Sequence, residues 1–194
     1  MTSPAPTLPP TTPDNMTPVA TLAYLHARAH RGLRPRLAVL GVSMDDAVSA
    51  AGGRIFDLSM AGWEVTVIAG DLGNPRPARI LGADALDLGT VLARRHRGLR
   101  PHALAVSEAL PAAEDRLRSR VQECLDRCTV EVSTWGRQYT AKTGDRTEST
   151  THRLSHAARV FKQQALRVVR GDIDTVAPTE SFRTRTTSSA HAHF

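Results

Sequence analysis

Two adjacent carboxylates, Asp45 and Asp46, are the residues of this sequence whose types and spacing best fit a chemical site. They come two residues after an apolar run at 37–42 and open a segment whose apolar residues recur at helical spacing. At a junction between a strand and a helix, one carboxylate can coordinate a metal ion while the other acts as general base for a metal-bound water. The same pair can also cap the helix and remain solvated, so the residues alone leave both interpretations open.

The junction lacks the features of a phosphate-binding loop. Such loops present glycines and free backbone N–H groups to the anion, whereas Asp45 and Asp46 would repel it. The sequence has no GxGxxG motif after this strand, and Gly52-Gly53 falls inside the predicted helix. A nucleotide-binding site of the Rossmann type is therefore disfavoured.

Strands and helices alternate around this junction. Apolar runs predict strands near 37–42, 64–69, 103–107 and 129–134, and a shorter strand near 83–89. A helix is expected to begin at Asp45 or Asp46 and to end before Gly62, and another amphipathic helix is expected at 114–127. This order predicts an α/β fold, a three-layer α/β/α sandwich with a mainly parallel, Rossmann-like sheet.

A last helix is predicted within 152–169, after a polar loop at 136–151 that shows no periodicity. Its apolar stripe consists of Leu154, Ala158, Phe161 and Ala165. In the first helix, Gly52-Gly53 is expected to be a packing device, because glycine inside a helix costs about 1 kcal/mol relative to alanine. Such a pair is retained where another part of the backbone must come close.

Composition divides the chain into three parts. Residues 1–20 hold six of the twelve prolines and no basic side chain, so we expect a disordered arm there. Residues 21–170 form the predicted α/β domain, and 171–194 are expected to be a disordered tail rich in Ser and Thr.

The chain is basic, with 25 Lys and Arg against 19 Asp and Glu and a formal net charge of +6. Only Lys142 and Lys162 are lysines, and arginines cluster at 94–97 and 116–120. This balance permits contact with nucleic acid. Aromatic residues at 4% leave few stacking platforms, and no groove-reading motif is visible, so a solvated helix surface is the favoured interpretation.

No apolar run approaches the length of about 20 residues that a membrane span needs, so no membrane contact is expected. The first 20 residues resemble neither a signal peptide nor a transit peptide, and a cytoplasmic location is expected. The two cysteines, Cys124 and Cys128, have helical spacing that is poor for a disulfide and weak as a zinc half-site. We expect both to be packing residues.

The residues around the acidic pair resemble the N-terminal signature of the PIG-L or LmbE-like zinc-dependent N-deacetylases. That signature is an apolar strand, His-Pro-Asp-Asp, five residues, Gly-Gly, and a second strand that begins near Gly-His-Glu-Val. Here LAVLGV is followed by Ser43-Met44-Asp45-Asp46, five residues, Gly52-Gly53 and, after the helix, Gly-Trp-Glu-Val. The resemblance extends over about 36–169 and implies the α/β/α fold.

The departures from this signature concern the metal ligands. In the family the first histidine, the second aspartate and a histidine of a later His-Pro-Asp-His motif hold zinc, and the first aspartate is the general base. By this resemblance Asp45 stands at the base position and Asp46 at a metal position, but Ser43 replaces the first histidine. Segment 108–116, where the later motif is expected, contains no histidine. His152 and His156 have the spacing of a paired metal site without the HExxH glutamate, and we expect them to be unliganded.

Three functional hypotheses remain open. The favoured one is a protein that keeps the fold, binds no cofactor, and uses Ser43, Asp45 and Asp46 to bind a small-molecule or protein ligand. The second is an active zinc-dependent N-deacetylase of an N-acetylated sugar conjugate, with zinc on Asp46 and a histidine from elsewhere in the chain. The third is an arginine-rich nucleic-acid-binding module.

Overall fold

The computed structural model describes residues 34–93, 101–110, 131–136, 147–173 and 175–185. The elements, in chain order, are β1 (Arg36–Ser43), α1 (Met44–Met60), β2 (Glu64–Asp71), α2 (Arg76–Ile80), β3 (Asp84–Asp87), α3 (Leu88–Ala93), β4 (Ala103–Ser107), β5 (Glu131–Trp135), β6 (Thr147–Arg153), α4 (His156–Arg170) and β7 (Thr179–Arg185). None of the helices in these ranges is long and apolar enough to cross a membrane.

The described strands form one seven-stranded sheet in the order β3-β2-β1-β4-β5-β7-β6. The first five are mutually parallel, and β7 is antiparallel to both β5 and β6. Strand β1 lies between β2 and β4, with Leu37 opposite Val65 on one side and Ala103 on the other. Strands β1 and β2 have neighbours on both sides, and their buried central residues are apolar. The strand predictions from apolar runs are therefore confirmed.

Alternate residues of the parallel strands belong to two separate hydrophobic cores, one on each face of the sheet. One core places Leu37, Val39 and Val65 against helix α1, and it also includes residues of α2 and α4. The other core contains Leu40, Ile68 and their neighbours on the opposite face, with Leu88 of α3. The α/β/α sandwich predicted from the alternation of elements is therefore confirmed.

Helix α1 begins at Met44, one residue before the earliest predicted start. Ser43 is its N-cap: the Ser43 Oγ accepts a hydrogen bond of 3.1 Å from the Asp46 backbone N–H. The helix ends at Met60, and Gly62 follows with a φ of +89°, a conformation that favours glycine. Both acidic residues therefore lie in the first turn, where they complement the helix dipole.

Gly53 is a close-approach position, as predicted. A Cβ at Gly53 would lie 2.2 Å from Leu154 Cγ, so no side chain fits between α1 and the segment that leads into α4. Helix α4 begins at His156 with Ser155 as N-cap, and Leu154, Ala158 and Ala165 are buried. Phe161 is a correction to the predicted stripe, because it is 43% exposed and stacks on Phe56 at the edge of the helix pair.

A buried ion pair, Lys162–Glu180, lies where α4 contacts α1. Lys162 Nζ donates to Glu180 Oε1 at 2.6 Å and to the Ser49 carbonyl at 2.7 Å. The Glu180 carboxylate also accepts from the backbone N–H groups of Gly53 and Arg54, at 2.7 and 2.9 Å. The pair therefore joins α1, α4 and β7 through charge-assisted hydrogen bonds.

Strands β6 and β7 correct two predictions. Residues 147–151 were expected in a polar loop and 179–185 in a disordered tail, but both segments belong to the sheet. The buried residues of β7 are Glu180, Phe182 and Thr184, an alternation of period two in which only Phe182 is apolar. A hydropathy pattern does not reveal such a strand, because its polar residues are buried through specific partners.

Several predictions concern residues outside the described ranges. These are the arm at 1–20, the helix at 114–127 with Cys124 and Cys128, the tail beyond 185, and the arginine clusters at 94–97 and 116–120. Each of them stays a prediction.

Candidate functional site

The carboxyl end of β1 is the point where the strand order reverses, because the chain continues to β2 on one side and later returns to β4 on the other. In open parallel sheets, ligands bind in the crevice at such a point. Ser43, Asp45 and Asp46 lie at this edge, as the sequence predicts. The structure also brings Glu108, after β4, and Trp135, at the end of β5, to the same edge.

Asp46 accepts hydrogen bonds on both of its carboxylate oxygens. Oδ2 accepts from the Val42 backbone N–H at 3.1 Å, and Oδ1 accepts from Trp135 Nε1 at 3.0 Å. The Asp46 backbone N–H in turn donates to Ser43 Oγ. Asp46 therefore connects β1 and the first turn of α1 to β5, two strands away in the sheet.

Asp45 is paired with Arg170, the last residue of α4. Arg170 Nη2 donates to Asp45 Oδ2 at 2.7 Å, and Arg170 Nε donates to Asp45 Oδ1. The pair is partly exposed, at 35% for the Asp45 side chain and 49% for the Arg170 side chain. The hydrogen bond to Asp45 raises the pKa of Arg170 above its ordinary value.

Glu108 is a site residue that the sequence analysis did not select. Its carboxylate is buried, and Oε1 accepts from Thr134 Oγ1 at 3.0 Å and lies 3.9 Å from Arg183 Nη1. Its backbone N–H donates to the Trp135 carbonyl at 2.8 Å. The signal was present, since Glu108 directly follows a buried parallel strand, and Asp45 and Asp46 also come shortly after one.

A shallow cavity of about 210 Å³ lies beside Asp45, between the ends of β1 and β2 and the end of α4. Its polar side includes the Asp45 and Asp71 carboxylates and the Asn74 amide. Its apolar side consists of Met44, Leu72, Val168 and Val169. A cavity lined by both oxygen acceptors and apolar side chains suits a small ligand that carries hydrogen-bond donors and an apolar portion.

Among the described residues at this edge, the donor set does not match that of a catalytic zinc ion. A catalytic zinc site has three protein ligands and an open position, usually with imidazole or thiolate among the ligands. No group of three His, Cys, Asp or Glu side chains within the described ranges has the arrangement to hold a metal ion. Ser43 Oγ is used as a helix cap, and both Asp46 oxygens are used by protein donors.

The two histidines with metal-like spacing have other partners. His152 Nε2 donates to Asp57 Oδ2 at 2.9 Å, and the imidazole is almost fully buried. His156 Nδ1 lies 3.2 Å from Arg159 Nη2. The expected helical i, i+4 pair is therefore corrected: His152 lies in β6 and contacts a residue of α1, whereas His156 is the first residue of α4.

No known family model matches the sequence, and no curated protein matches it. Solved structures do match. An A40926 pseudoaglycone deacetylase, Dbv21, is 14% identical with a TM-score of 0.53, and the match covers 82% of this chain and 100% of that chain. A deacetylase in complex with teicoplanin, from the teicoplanin biosynthesis pathway, is 12% identical with a TM-score of 0.54, and a zinc-inhibited form of teicoplanin deacetylase Orf2 is 13% identical with a TM-score of 0.51. Both matches cover 79% of this chain and 100% of the other.

These structures are N-deacetylases of the PIG-L/LmbE type. At 12 to 14% identity the likeness concerns the fold. The chain therefore has the fold of these deacetylases, in agreement with the resemblance seen around Ser43–Asp46 in the sequence.

Proposed function

We propose that this chain is a divergent relative of the PIG-L/LmbE-like N-deacetylases that binds a small ligand at the shared strand edge without zinc-dependent hydrolysis. The observation that carries this proposal is the double use of Asp46, whose two carboxylate oxygens accept from Val42 N–H and Trp135 Nε1. An aspartate at a zinc position must direct a lone pair at the metal and leave a neighbouring position open for water. Here the Asp46 carboxylate instead forms hydrogen bonds with β1 and β5.

Asp45 supports the same conclusion. At the general-base position a carboxylate needs a water molecule within hydrogen-bond reach. The bidentate contact with the Arg170 guanidinium occupies both carboxylate oxygens, and Ser49 Oγ lies 3.4 Å from Oδ1. The side chain that would deprotonate water is therefore already engaged with protein donors.

The cavity beside Asp45 supports a small molecule as the ligand. The 210 Å³ space is too small for a macromolecular segment with several side chains, and it combines carboxylates with an apolar wall. We propose a ligand with a hydrogen-bonding or cationic head and an apolar portion, in a protein that needs no cofactor and is located in the cytoplasm.

The first test is metal content and hydrolysis together. Protein purified without a histidine tag should contain zinc well below one equivalent by elemental analysis. It should release no amine from N-acetylglucosamine conjugates in added zinc. Zinc at one equivalent that is lost in Asp46→Ala, with turnover abolished by Asp45→Asn, would establish the deacetylase hypothesis instead.

The second test concerns binding, with glucosamine and N-acetylglucosamine as probes in titration calorimetry. If the site recognises a cationic head, glucosamine should bind and N-acetylglucosamine should not. Asp71→Asn should then weaken binding by about tenfold, because it removes one charge-assisted hydrogen bond. Asp84→Asn, an exposed carboxylate at the start of β3, is the matched control and should leave the affinity unchanged. Equal binding of the two probes would contradict the proposed head-group chemistry.

A further inference from the structure

A second cavity, of about 300 Å³, lies at the start of α4. Its lining residues come from the end of β6, the first turn of α4 and the segment before β7, and they are Arg153, Leu154, Ser155, His156, Arg159 and Pro178. Asp45 contacts Arg170 at the opposite end of the same helix, about 21 Å away along the helix axis. The two cavities are therefore separate sites.

Two guanidinium groups face this cavity without a carboxylate partner. Arg153 is the last residue of β6 and Arg159 lies in the first turn of α4, and both side chains are exposed. Among the described residues, neither forms an ion pair with a carboxylate, and no acidic side chain lines the cavity. Two like charges at one cavity repel each other unless an anion lies between them.

His156 adds a third donor. A guanidinium can only donate, so the contact of 3.2 Å between Arg159 Nη2 and His156 Nδ1 requires Nδ1 to be the acceptor. In the neutral imidazole the hydrogen is then on Nε2. The histidine therefore presents an N–H donor in addition to the two guanidinium groups.

The Asp57 carboxylate contacts Ser155, which lines the cavity, and it has two hydrogen-bond partners within the protein. Asp57 Oδ2 accepts from His152 Nε2 at 2.9 Å and from the Ser155 backbone N–H at 3.2 Å. Asp57 is not among the described residues that line the cavity. Of the described lining residues, Arg153 and Arg159 carry a charge.

We propose that this cavity binds a phosphate group, held by Arg153, Arg159 and His156. Guanidinium groups match phosphate oxygens in geometry and charge, and two guanidiniums on different elements can contact one tetrahedral anion from two sides. The volume is sufficient for a phosphate with a small organic group attached. Inorganic phosphate and a phosphate monoester share this chemistry.

The test uses the full chain and titration calorimetry at constant ionic strength. Inorganic phosphate and glycerol 3-phosphate are the two probes, and chloride replaces phosphate in the reference buffer. We expect saturable phosphate binding, with Arg153→Gln and Arg159→Gln each weakening it by about tenfold or more. Arg79→Gln removes the same charge from an exposed arginine on α2 and should leave the affinity unchanged.

The two probes distinguish the source of the phosphate. Tighter binding of glycerol 3-phosphate identifies an organic monoester as the ligand class, and equal binding identifies the phosphate group alone. Because both arginines are exposed, the variants should retain the wild-type circular dichroism spectrum. Arg159→Lys, which keeps the charge but not the planar donors, should bind with an intermediate affinity. No phosphate binding above the chloride reference, or equal losses in Arg79→Gln, would overturn the proposal.

Discussion

The arginines near the two ends of helix α4 differ in whether they contact a carboxylate. At the C-terminal end, Arg170 contacts the Asp45 carboxylate through two nitrogens. At the N-terminal end, Arg153 and Arg159 face a cavity that no carboxylate lines. Arg170 is thus paired within the protein, whereas Arg153 and Arg159 are the residues that we propose to bind an anion.

The Lys162–Glu180 ion pair lies at the middle of α4, between the two ends compared above. Replacing Lys162 by Met tests its contribution to stability, and we expect this substitution to have the largest effect. The change leaves the Glu180 carboxylate buried, with only the Gly53 and Arg54 backbone N–H groups as partners. Removing one partner of a buried ion pair costs about 3 to 5 kcal/mol, which urea unfolding measures. The double variant Lys162→Met, Glu180→Gln should recover part of this loss. A single variant as stable as the wild type would show that the pair does not hold α4 in place.

Gly53→Leu disturbs the N-terminal end of α4, because the new Cβ would lie 2.2 Å from Leu154 Cγ. Overpacking of this kind costs about 3 kcal/mol and should lower the urea midpoint clearly. Gly89→Ala is the control, since Gly89 is exposed and its Cβ would meet only the Asp87 carboxylate, at 3.2 Å. An unchanged midpoint for Gly53→Leu would mean that α1 and the start of α4 separate easily.

Trp135→Phe tests the hydrogen bond between Trp135 and Asp46 at the strand edge near the C-terminal end of α4. The substitution keeps the aromatic ring but removes the hydrogen bond from Nε1 to Asp46. A hydrogen bond to a charged group contributes about 1.5 to 3 kcal/mol, so unfolding should become easier by about 2 kcal/mol. Trp63→Phe is the matched control, because the buried Trp63 Nε1 has no hydrogen-bond partner within the described structure. If both variants lose equal stability, the bond to Asp46 contributes nothing beyond packing.

Asp57→Asn tests how the folding stability contributed near the N-terminal end of α4 depends on pH. Burial raises the pKa of Asp57, but hydrogen bonds from His152 and Ser155 outweigh this, and the net pKa is lowered. A lowered folded-state pKa contributes stability above the unfolded value, about 3.9, and this contribution is lost as the pH falls through the folded pKa. The variant should therefore be less stable at pH 7 by about 1 to 2 kcal/mol. The gap to the wild type should close below about pH 4. A gap that is constant from pH 7 to pH 3 would contradict this.

Arg170→Gln should have the smallest effect on stability. The pair with Asp45 is partly exposed, so its loss should cost at most about 1 kcal/mol, and less at high salt. The substitution removes the cation that engages Asp45, and binding of glucosamine at the neighbouring cavity should become tighter. Weaker binding would indicate that Arg170 shapes the cavity instead of competing for Asp45.

The sequence predicted the parallel part of the fold because the central residues of β1, β2 and β4 are apolar. It missed β6 and β7, whose buried positions include Glu180 and Thr184. It placed Asp45 and Asp46 at the carboxyl edge of the sheet, because they come shortly after a buried strand. It missed Glu108 and Trp135, since their proximity to Asp46 depends on the order of the strands in the sheet.

By itself the sequence determined which segments form the buried parallel strands, where α1 begins and ends to within about one residue, and that two carboxylates lie in its first turn. These are local properties, because hydrophobic periodicity and capping act over a few residues. Only the tertiary structure decided what those carboxylates do. The partners of Asp46 and Asp45 are Trp135 and Arg170, 89 and 125 residues further along the chain. The sequence position of a charged or hydrogen-bonding side chain does not identify a partner about a hundred residues away. These groups meet only because β5 and α4 pack next to the end of β1.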